Sequence, residues 1–393
     1  MKVLNLNLFV YPDSVGGAAV VAEKLAWGLI SAGHEVTNVF LSRRADGQDL
    51  SVHETPFGRS VAINNVFPSP ANRFSNPPAA SLLSEIAEIV QPDLIVVHAA
   101  QNMGIHDFLR DPKWLSRTRI IAHDFFWACI QGFRTLPDGS RCERPIGNVA
   151  CRGCAWYPGL IEETYRSSWQ ILREAPAVIF PSRFLHDGYV GTFHERPDNF
   201  HVVSNPDKAE LIVAPGAPLP EPAGLAAKQA GKTVYAFVGG PGETKGWRLV
   251  SDFIAASGDG RLSDSHVVLF DAGRAQGTPW YGEAAPGSSV ADPFHWSYAA
   301  HALSQVDAIL MPSRVQESFG LAAREILSLG GKSLVRRSGA LAEMEGYADV
   351  FIAHEEDDSL PLAQKMASED QTGKAPWRPT SIEDYTQMVL SVA

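Results

Sequence analysis

Nowhere does the sequence run apolar for anything near the roughly 20 residues that a membrane-spanning helix needs, so no span is expected. Positive charge is also in short supply. The 33 Lys and Arg are outnumbered by 44 Asp and Glu, for a net charge of −11. A nucleic-acid binder needs a basic stripe, which this balance argues against. Cysteine is scarce, with four residues that all fall between 129 and 154. The opening stretch "MKVLNLNLFVYP" is apolar but interrupted by Asn5 and Asn7, and it has no small-residue cleavage site. It reads as a first β-strand rather than a signal peptide. A cytoplasmic protein is expected, with peripheral contact at the inner face of the membrane left open.

What is present is an ordinary globular composition. Of the 393 residues, 45% are apolar and 20% charged, and the length suggests two or three domains. A short β-branched run, a polar or glycine turn and an amphipathic helix recur along the chain. "KVLNLNLFV" passes through "YPDSVGG" into the helical "AAVVAEKLAWGLISAG", and "HEVTNVFL" is the next strand. "DLIVVHAA" (93–100), "RIIAHDF" (119–125) and "AVIFPS" (177–182) continue the series. Residues 206–232 carry five prolines among alanines and glycines, Pro206, Pro215, Pro218, Pro220 and Pro222, and read as a linker or long surface connection. The pattern restarts with "TVYAFVGG" (233–240), "HVVLFDAG" (266–273), "DAILMPS" (307–313), "SLVRR" (333–337) and "DVFIAH" (349–354). Such alternation means parallel sheets covered on both faces. The expected fold is therefore α/β, with two doubly wound Rossmann-like domains whose ligands bind beyond the carboxyl ends of the strands, in a cleft.

One stretch of the second half concentrates polar chemistry. "QESFGLAARE" (316–325) follows the strand "DAILMPSRV" and leads the helix that Gly330 and Gly331 stop. Glu317 falls in the loop at the strand's carboxyl end. Ser318, Phe319 and Gly320 fall at the helix N-terminus, where free N–H groups and the dipole favour a phosphate. Glu325 lies further along, placed to accept hydrogen bonds from a pair of hydroxyls. Alone, the ten residues also fit a plain acidic helix entrance.

In context, E-x7-E after "PSR" and before "LSLGG" resembles the signature of the retaining GT-B glycosyltransferases of family 4. The resemblance extends over nearly the whole chain: "PDSVGGAAVVAEKLAWGLISAGHEV" is similar to that family's first loop, helix and second strand. "AHDFFW" is similar to its His-bearing loop, "VIFPSRF" and "HVVSNPDK" to the end of its N-terminal domain, and "YAFVGGPGETKGWRLV" to the start of its C-terminal one. The resemblance implies an N-terminal acceptor-side domain over 1–205, a C-terminal donor domain over 206–377, and a final helix, 378–393, packed back on the first. It implies that Glu317 contacts the donor sugar, that the amides of Ser318, Phe319, Gly320 and Leu321 hold the diphosphate, and that Glu325 binds the ribose. Lys245 would neutralise the leaving diphosphate, the Gly16–Gly17 loop would close on the phosphates, and His123 would touch the sugar. Gly239, Gly240 and Ser313 complete the implied donor site.

The chain departs from the family at Gly240, where an arginine usually helps clamp the diphosphate; Arg183, Arg248 and Arg314 are the candidate substitutes. No Asp-x-Asp strand end appears, so no catalytic divalent cation is expected. The four cysteines, Cys129, Cys142, Cys151 and Cys154, sit on an insertion (129–154) that is poor in large apolar residues. A structural zinc held by four thiolates would order such a loop; reduced thiols, disulfides or an iron–sulfur cluster are the alternatives. The expected activity is transfer of a sugar from a nucleotide-diphosphate donor to a hydroxyl on a glycan, lipid-linked or small acceptor, in glycan or polysaccharide biosynthesis. The rivals are a GT-B nucleotide-sugar epimerase or hydrolase, and a non-catalytic sugar-nucleotide-binding module.

Overall fold

The computed structural model describes residues 1–9, 16–42, 47–66, 73–129, 131–134, 136, 142, 151, 161–213, 218–274, 277–353 and 374–392, with the backbone alone at 161–163. The chain divides into two compact units, Met1–Pro206 with Ser381–Ala393, and Asp207–Thr380.

The first unit is built on eight strands: β1 (Lys2–Leu6), β2 (Glu35–Leu41), β3 (Leu50–Thr55), β4 (Gly58–Ile63), β5 (Leu94–Val97), β6 (Thr118–Ile121), β7 (Ala177–Phe180) and β8 (Phe200–Val202). They run in the order β3-β4-β2-β1-β5-β6-β7-β8. Neighbours are parallel except β3 and β4, an antiparallel pair at the edge. That hairpin escapes the sequence reading because "LSVHET" is largely exposed and carries no apolar run. The central strands β5 and β7 are buried along their whole length, as helices on both faces of a parallel sheet require.

The two asparagines that interrupt the opening strand are buried, and each is paired. Asn5 faces Asn38 across β1 and β2 and donates to its side-chain oxygen at 2.8 Å, while Asn38 donates to the Phe57 carbonyl at 2.8 Å. The amide nitrogens of Asn5 and Asn38 are thus satisfied, while Asn5 Oδ1 stays buried without a partner among the described residues. The last helix (Ile382–Ser391) packs on the first (Gly17–Ser31), which allows close approach at Gly28; a Cβ there would overlap the Thr386 hydroxyl.

His106 sits in this core, stacked on Trp127 with centroids 5.2 Å apart and 16° between planes, with Ser168 Oγ 3.3 Å from its Nε2. Burial, then Arg110, lowers its pKa to about 3. A base whose folded pKa is depressed stabilises fully above its unfolded value and loses that stability as pH falls toward the folded one. At pH 5 the loss is about 2 kcal/mol. His106→Phe is therefore expected to flatten the acid limb of stability by about that amount between pH 7 and 5. Urea titrations at the two pH values measure it; an unchanged slope would mean the ring protonates freely.

The second unit is a six-stranded all-parallel sheet of β9 (Thr233–Val238), β10 (Ser265–Phe270), β11 (Ser288–Ala291), β12 (Ala308–Met311), β13 (Lys332–Arg336) and β14 (Val350–Ala353). Its order is β11-β10-β9-β12-β13-β14. β11, "SSVA", is half-exposed, too short and polar to read as a strand in advance. The start of the proline-rich stretch, read as a linker or long surface connection, is anchored in this unit, while the described residues from 210 to 232 are exposed or half-exposed. The amide of Ala209 donates to Ser328 Oγ at 2.9 Å, and the buried Asp207 carboxylate accepts from the Thr380 amide at 2.7 Å and from Trp377 Nε1 at 3.1 Å. The two points where the chain enters and leaves the unit are thus tied together. Among the described residues no helix is long and apolar enough to cross a membrane.

Candidate active site

In the second unit, the polar residues gather where β9 and β12 end. β9 leads through Gly239 and Gly240 into a single 3-10 turn, Glu243–Lys245, and β12 leads through Pro312 into the loop carrying Ser313 and Glu317. The two loops are fastened by backbone: the amides of Arg314 and Val315 donate to the Thr244 carbonyl at 2.8 and 3.2 Å. Gly246, at φ +75, closes the turn against Pro312, leaving no room for a Cβ. A third loop, after β13, supports the second. Ala340 N–H donates to the Glu317 carbonyl at 2.8 Å, Ser338 Oγ donates to the Val315 carbonyl at 2.6 Å, and Gly339 lies so close to Glu317 that a side chain would collide with its backbone.

Held this way, Lys245 Nζ and Ser313 Oγ both reach Glu317 Oε1 at 2.7 Å. The Glu317 side chain is 17% exposed and that of Lys245 44%. A glutamate so placed is oriented but still open to a ligand. Downstream, Gly320 (φ +81) caps the helix Leu321–Ser328 in a left-handed conformation. The N–H groups of Phe319 and Gly320 find no acceptor among the described residues. The Phe319 ring is buried beneath Arg324, whose guanidinium lies 4.3 Å from the ring centroid and whose Nε donates to the Phe319 carbonyl at 2.9 Å. Phe319 therefore offers its amide, not its ring. Glu325 is also buried, at 5% exposure.

The region of the departing arginine is occupied by an aromatic. Trp280 packs over Gly240, with its ring 3.5 Å from where a Cβ would be. The buried Asp271 carboxylate accepts from the amides of Gly273, Trp280 and Tyr281 and so builds this loop. Of the candidate substitutes, Arg314 reaches Glu243 at 3.6 Å in an exposed pair, Arg248 is exposed at the start of the next helix, and Arg183 belongs to the first unit.

In the first unit, Gly16 (φ +84) and Gly17 begin the helix after β1, and neither would meet anything within 4 Å if it carried a Cβ. Residues 10–15 of that loop lie outside the described residues. β1, β5 and β6 are neighbours, and each ends in a polar side chain: Asn7, His98 and His123. His98 Nδ1 and His123 Nε2 are 2.8 Å apart. Burial lowers the pKa of His123 to about 3 and, with His123 beside it, takes that of His98 well below the usual value. The adjoining Asp124 is raised to about 6 by burial, against the opposing pull of the Phe126 amide and Arg73. His98 escapes the sequence reading because "VVHAA" merges it into its strand; the signal was a histidine directly after an apolar run.

Cys129, Cys142 and Cys151 are free and half-buried; Cys154 and most of the insertion lie outside the described residues. Among the described residues no group of three or more His, Cys, Asp or Glu is placed to hold a metal ion.

Residues 15–141 match the family described as Glycosyltransferase Family 4. The matched segment, about a third of the chain, contains Gly16, Gly17, His98 and His123, while the Lys245–Glu317 pair lies beyond it. The fold agrees over the full length. The sucrose-phosphate synthase of Thermosynechococcus elongatus is similar at TM-score 0.63 and 14% identity, covering 100% of this chain and 94% of that one. The E. coli trehalose-6-phosphate protein bound with UDP-2-fluoro glucose gives 0.61 and 12%, covering 100% and 96%. HepE of Anabaena, in complex with UDP and glucose, gives 0.63 and 13%, covering 99% and 98%. At such identities the likeness establishes the GT-B fold. No curated protein matches the chain significantly.

Proposed function

We propose that this glycosyltransferase moves a sugar from a UDP-sugar to a hydroxyl acceptor with retention of anomeric configuration and without a catalytic metal. The observation that carries the reading is the triad of Lys245, Ser313 and Glu317 beside the unengaged amides of Phe319 and Gly320. Departure of a nucleoside diphosphate leaves negative charge, which a lysine and oriented N–H groups stabilise. The sugar becomes electron-poor at its anomeric carbon, which the nearby Glu317 carboxylate favours. The choice of UDP follows the ligands of the E. coli and Anabaena proteins. Synthesis of a glycan or polysaccharide is part of the same proposal, as is a cytoplasmic location, which the free Cys129, Cys142 and Cys151 support.

Thermal-shift titration with UDP-, GDP-, ADP- and TDP-sugars tests the donor. A UDP-sugar should raise the melting temperature most, because a ligand that binds only the native state stabilises it. Equal shifts for all, or none, would count against the reading. Glu325→Ala is expected to weaken UDP binding by roughly tenfold, the value of a hydrogen bond to a charged group, with little change in kcat at saturation. Calorimetry giving an unaltered Kd would remove Glu325 from the nucleotide site.

Structural zinc on the four cysteines belongs to the same reading. The insertion offers little to bury, and Cys151 is near enough to Cys129 to help burial push its thiol up. Metal binding to such a loop is coupled to its folding. Elemental analysis of protein purified without added metal should find about one zinc per chain; finding neither zinc nor iron ends the idea.

A further inference from the structure

We infer that the first unit holds a binding site for a phosphate monoester, in the cavity between the helix Arg183–Phe193 and the edge strand β8. Arg183, His186, Arg196 and His201 build it. The inference does not depend on the proposed sugar transfer.

The local sequence brings the four side chains together. Ser182 Oγ accepts from the Leu185 amide at 3.2 Å and starts the helix. Positions 183, 186 and 187 then fall on one face of it, at i, i+3 and i+4. The helix stops at His194, which is left-handed at φ +56, and the chain turns back toward β8 with Arg196 on the way. β8 ends the sheet, so His201 at its centre has a neighbouring strand on one side only. All four residues line one cavity of about 620 Å³, which Phe200, Val202 and Val203 complete with an apolar wall.

The positive groups there are not spent on the protein itself. The Arg183 and Arg196 side chains are exposed and make no hydrogen bond or ion pair among the described residues. The only carboxylate lining the cavity among the described residues is Asp187, and it accepts from His186 Nδ1 at 2.7 Å. A carboxylate only accepts, so that nitrogen carries a proton and Nε2 is the one left for another partner. Nε2 is buried and has none. The His186 ring is 4% exposed and wedged edge-on against Phe180 and Phe200, so it cannot swing out to water. His201 Nε2 is also buried without a partner. In a chain of net charge −11, this is a local excess of unpaired donors.

The donor set selects the ligand. A guanidinium presents its N–H groups as a planar fork that grips two oxygens at once. One fork fills a carboxylate, whereas a phosphate has oxygens for both arginines and a ring nitrogen besides. The apolar wall suits the organic part of a monoester, which inorganic phosphate lacks. A proton gained at His186 Nε2 as the dianion arrives is balanced from behind by Asp187.

Calorimetric titration of the full chain with phenyl phosphate tests the site. Binding is expected with a Kd on the order of 1 mM or tighter, as two charge-assisted contacts supply. Arg183→Gln and Arg196→Gln should each weaken it by about tenfold or more. Both side chains are exposed, so both variants should melt with the wild type. Inorganic phosphate and benzoate should bind more weakly than phenyl phosphate. Lys245→Ala, in the second unit, should leave the Kd unchanged. No binding, binding that survives both arginine substitutions, or binding lost only in Lys245→Ala would overturn the site. Benzoate bound as tightly as phenyl phosphate would overturn the choice of phosphate. Sedimentation with phosphatidylcholine vesicles, with and without phosphatidic acid, identifies the source of the group. Pelleting that needs both phosphatidic acid and the two arginines assigns it to a lipid headgroup. Phenyl phosphate binding without pelleting assigns it to a soluble ester.

Discussion

Lys245→Ala is expected to lower kcat/KM by roughly a hundred- to a thousandfold, the usual loss when one preorganised charge-stabilising group is removed. Its ammonium is held 2.7 Å from Glu317 Oε1, so it is fixed before the leaving diphosphate gains charge. Removal also leaves a mostly buried carboxylate with only the Ser313 hydroxyl among the described residues. The partner substitution separates binding from chemistry. Glu317→Gln keeps the shape and one acceptor oxygen but removes the charge that favours an electron-poor anomeric carbon. It should therefore reduce kcat by about a hundredfold with donor KM little changed, the signature of an interaction made in the transition state. A rise in KM with normal kcat would make Glu317 a simple substrate contact. Wild-type rates in both variants would take the pair out of the reaction altogether.

Gly246→Ala should be the most destabilising of the single-methyl additions, at about 3 kcal/mol or more. Two costs coincide there. The residue lies at φ +75, and the new Cβ would overlap the carbonyl oxygen of Pro312 and come within 2.7 Å of its carbon, both rigid backbone. Relief requires the Lys245 turn and the Ser313–Glu317 loop to separate, which breaks the Arg314 and Val315 bonds to Thr244. Stability and turnover should therefore fall together. Gly33→Ala is the control: at φ +82 it pays the left-handed strain but meets nothing within 4 Å, and about 1–2 kcal/mol is expected. Equal losses at the two sites, measured by urea denaturation, would show that the Pro312 contact yields easily.

The difference between these glycines was invisible in the sequence, where "TKGW" and "SAGH" look equally like turns. The general legibility follows the same division. Strands buried on both faces, such as "LIVV" and "AVIF", announce themselves because a parallel sheet demands continuous apolar runs. "LSVHET" and "SSVA" do not, because an edge strand can be half-exposed and is chosen by its neighbours. In the site, Glu317 was legible as an acidic residue in a loop at a strand end, and Lys245 through the family resemblance of its Lys-Gly turn. Their 2.7 Å contact is not, since 72 residues separate them. The support of Glu317 by Gly339 and Ala340 comes from a third strand's loop and leaves no local trace. Phe319 was legible as a turn residue, but that its ring would turn inward under Arg324 depends on packing against the second unit's core. His98 shows the opposite error: a polar residue ending an apolar run was absorbed into the strand.

The most direct test is proton NMR of the products when wild-type protein is given UDP-glucose and a panel of hydroxyl acceptors, with Lys245→Ala alongside. The account predicts UDP release matched by a new glycoside whose anomeric proton keeps the donor's configuration, and almost none from the variant. Inverted product, free glucose alone, an isomerised donor, or equal turnover by the Lys245→Ala protein would contradict it.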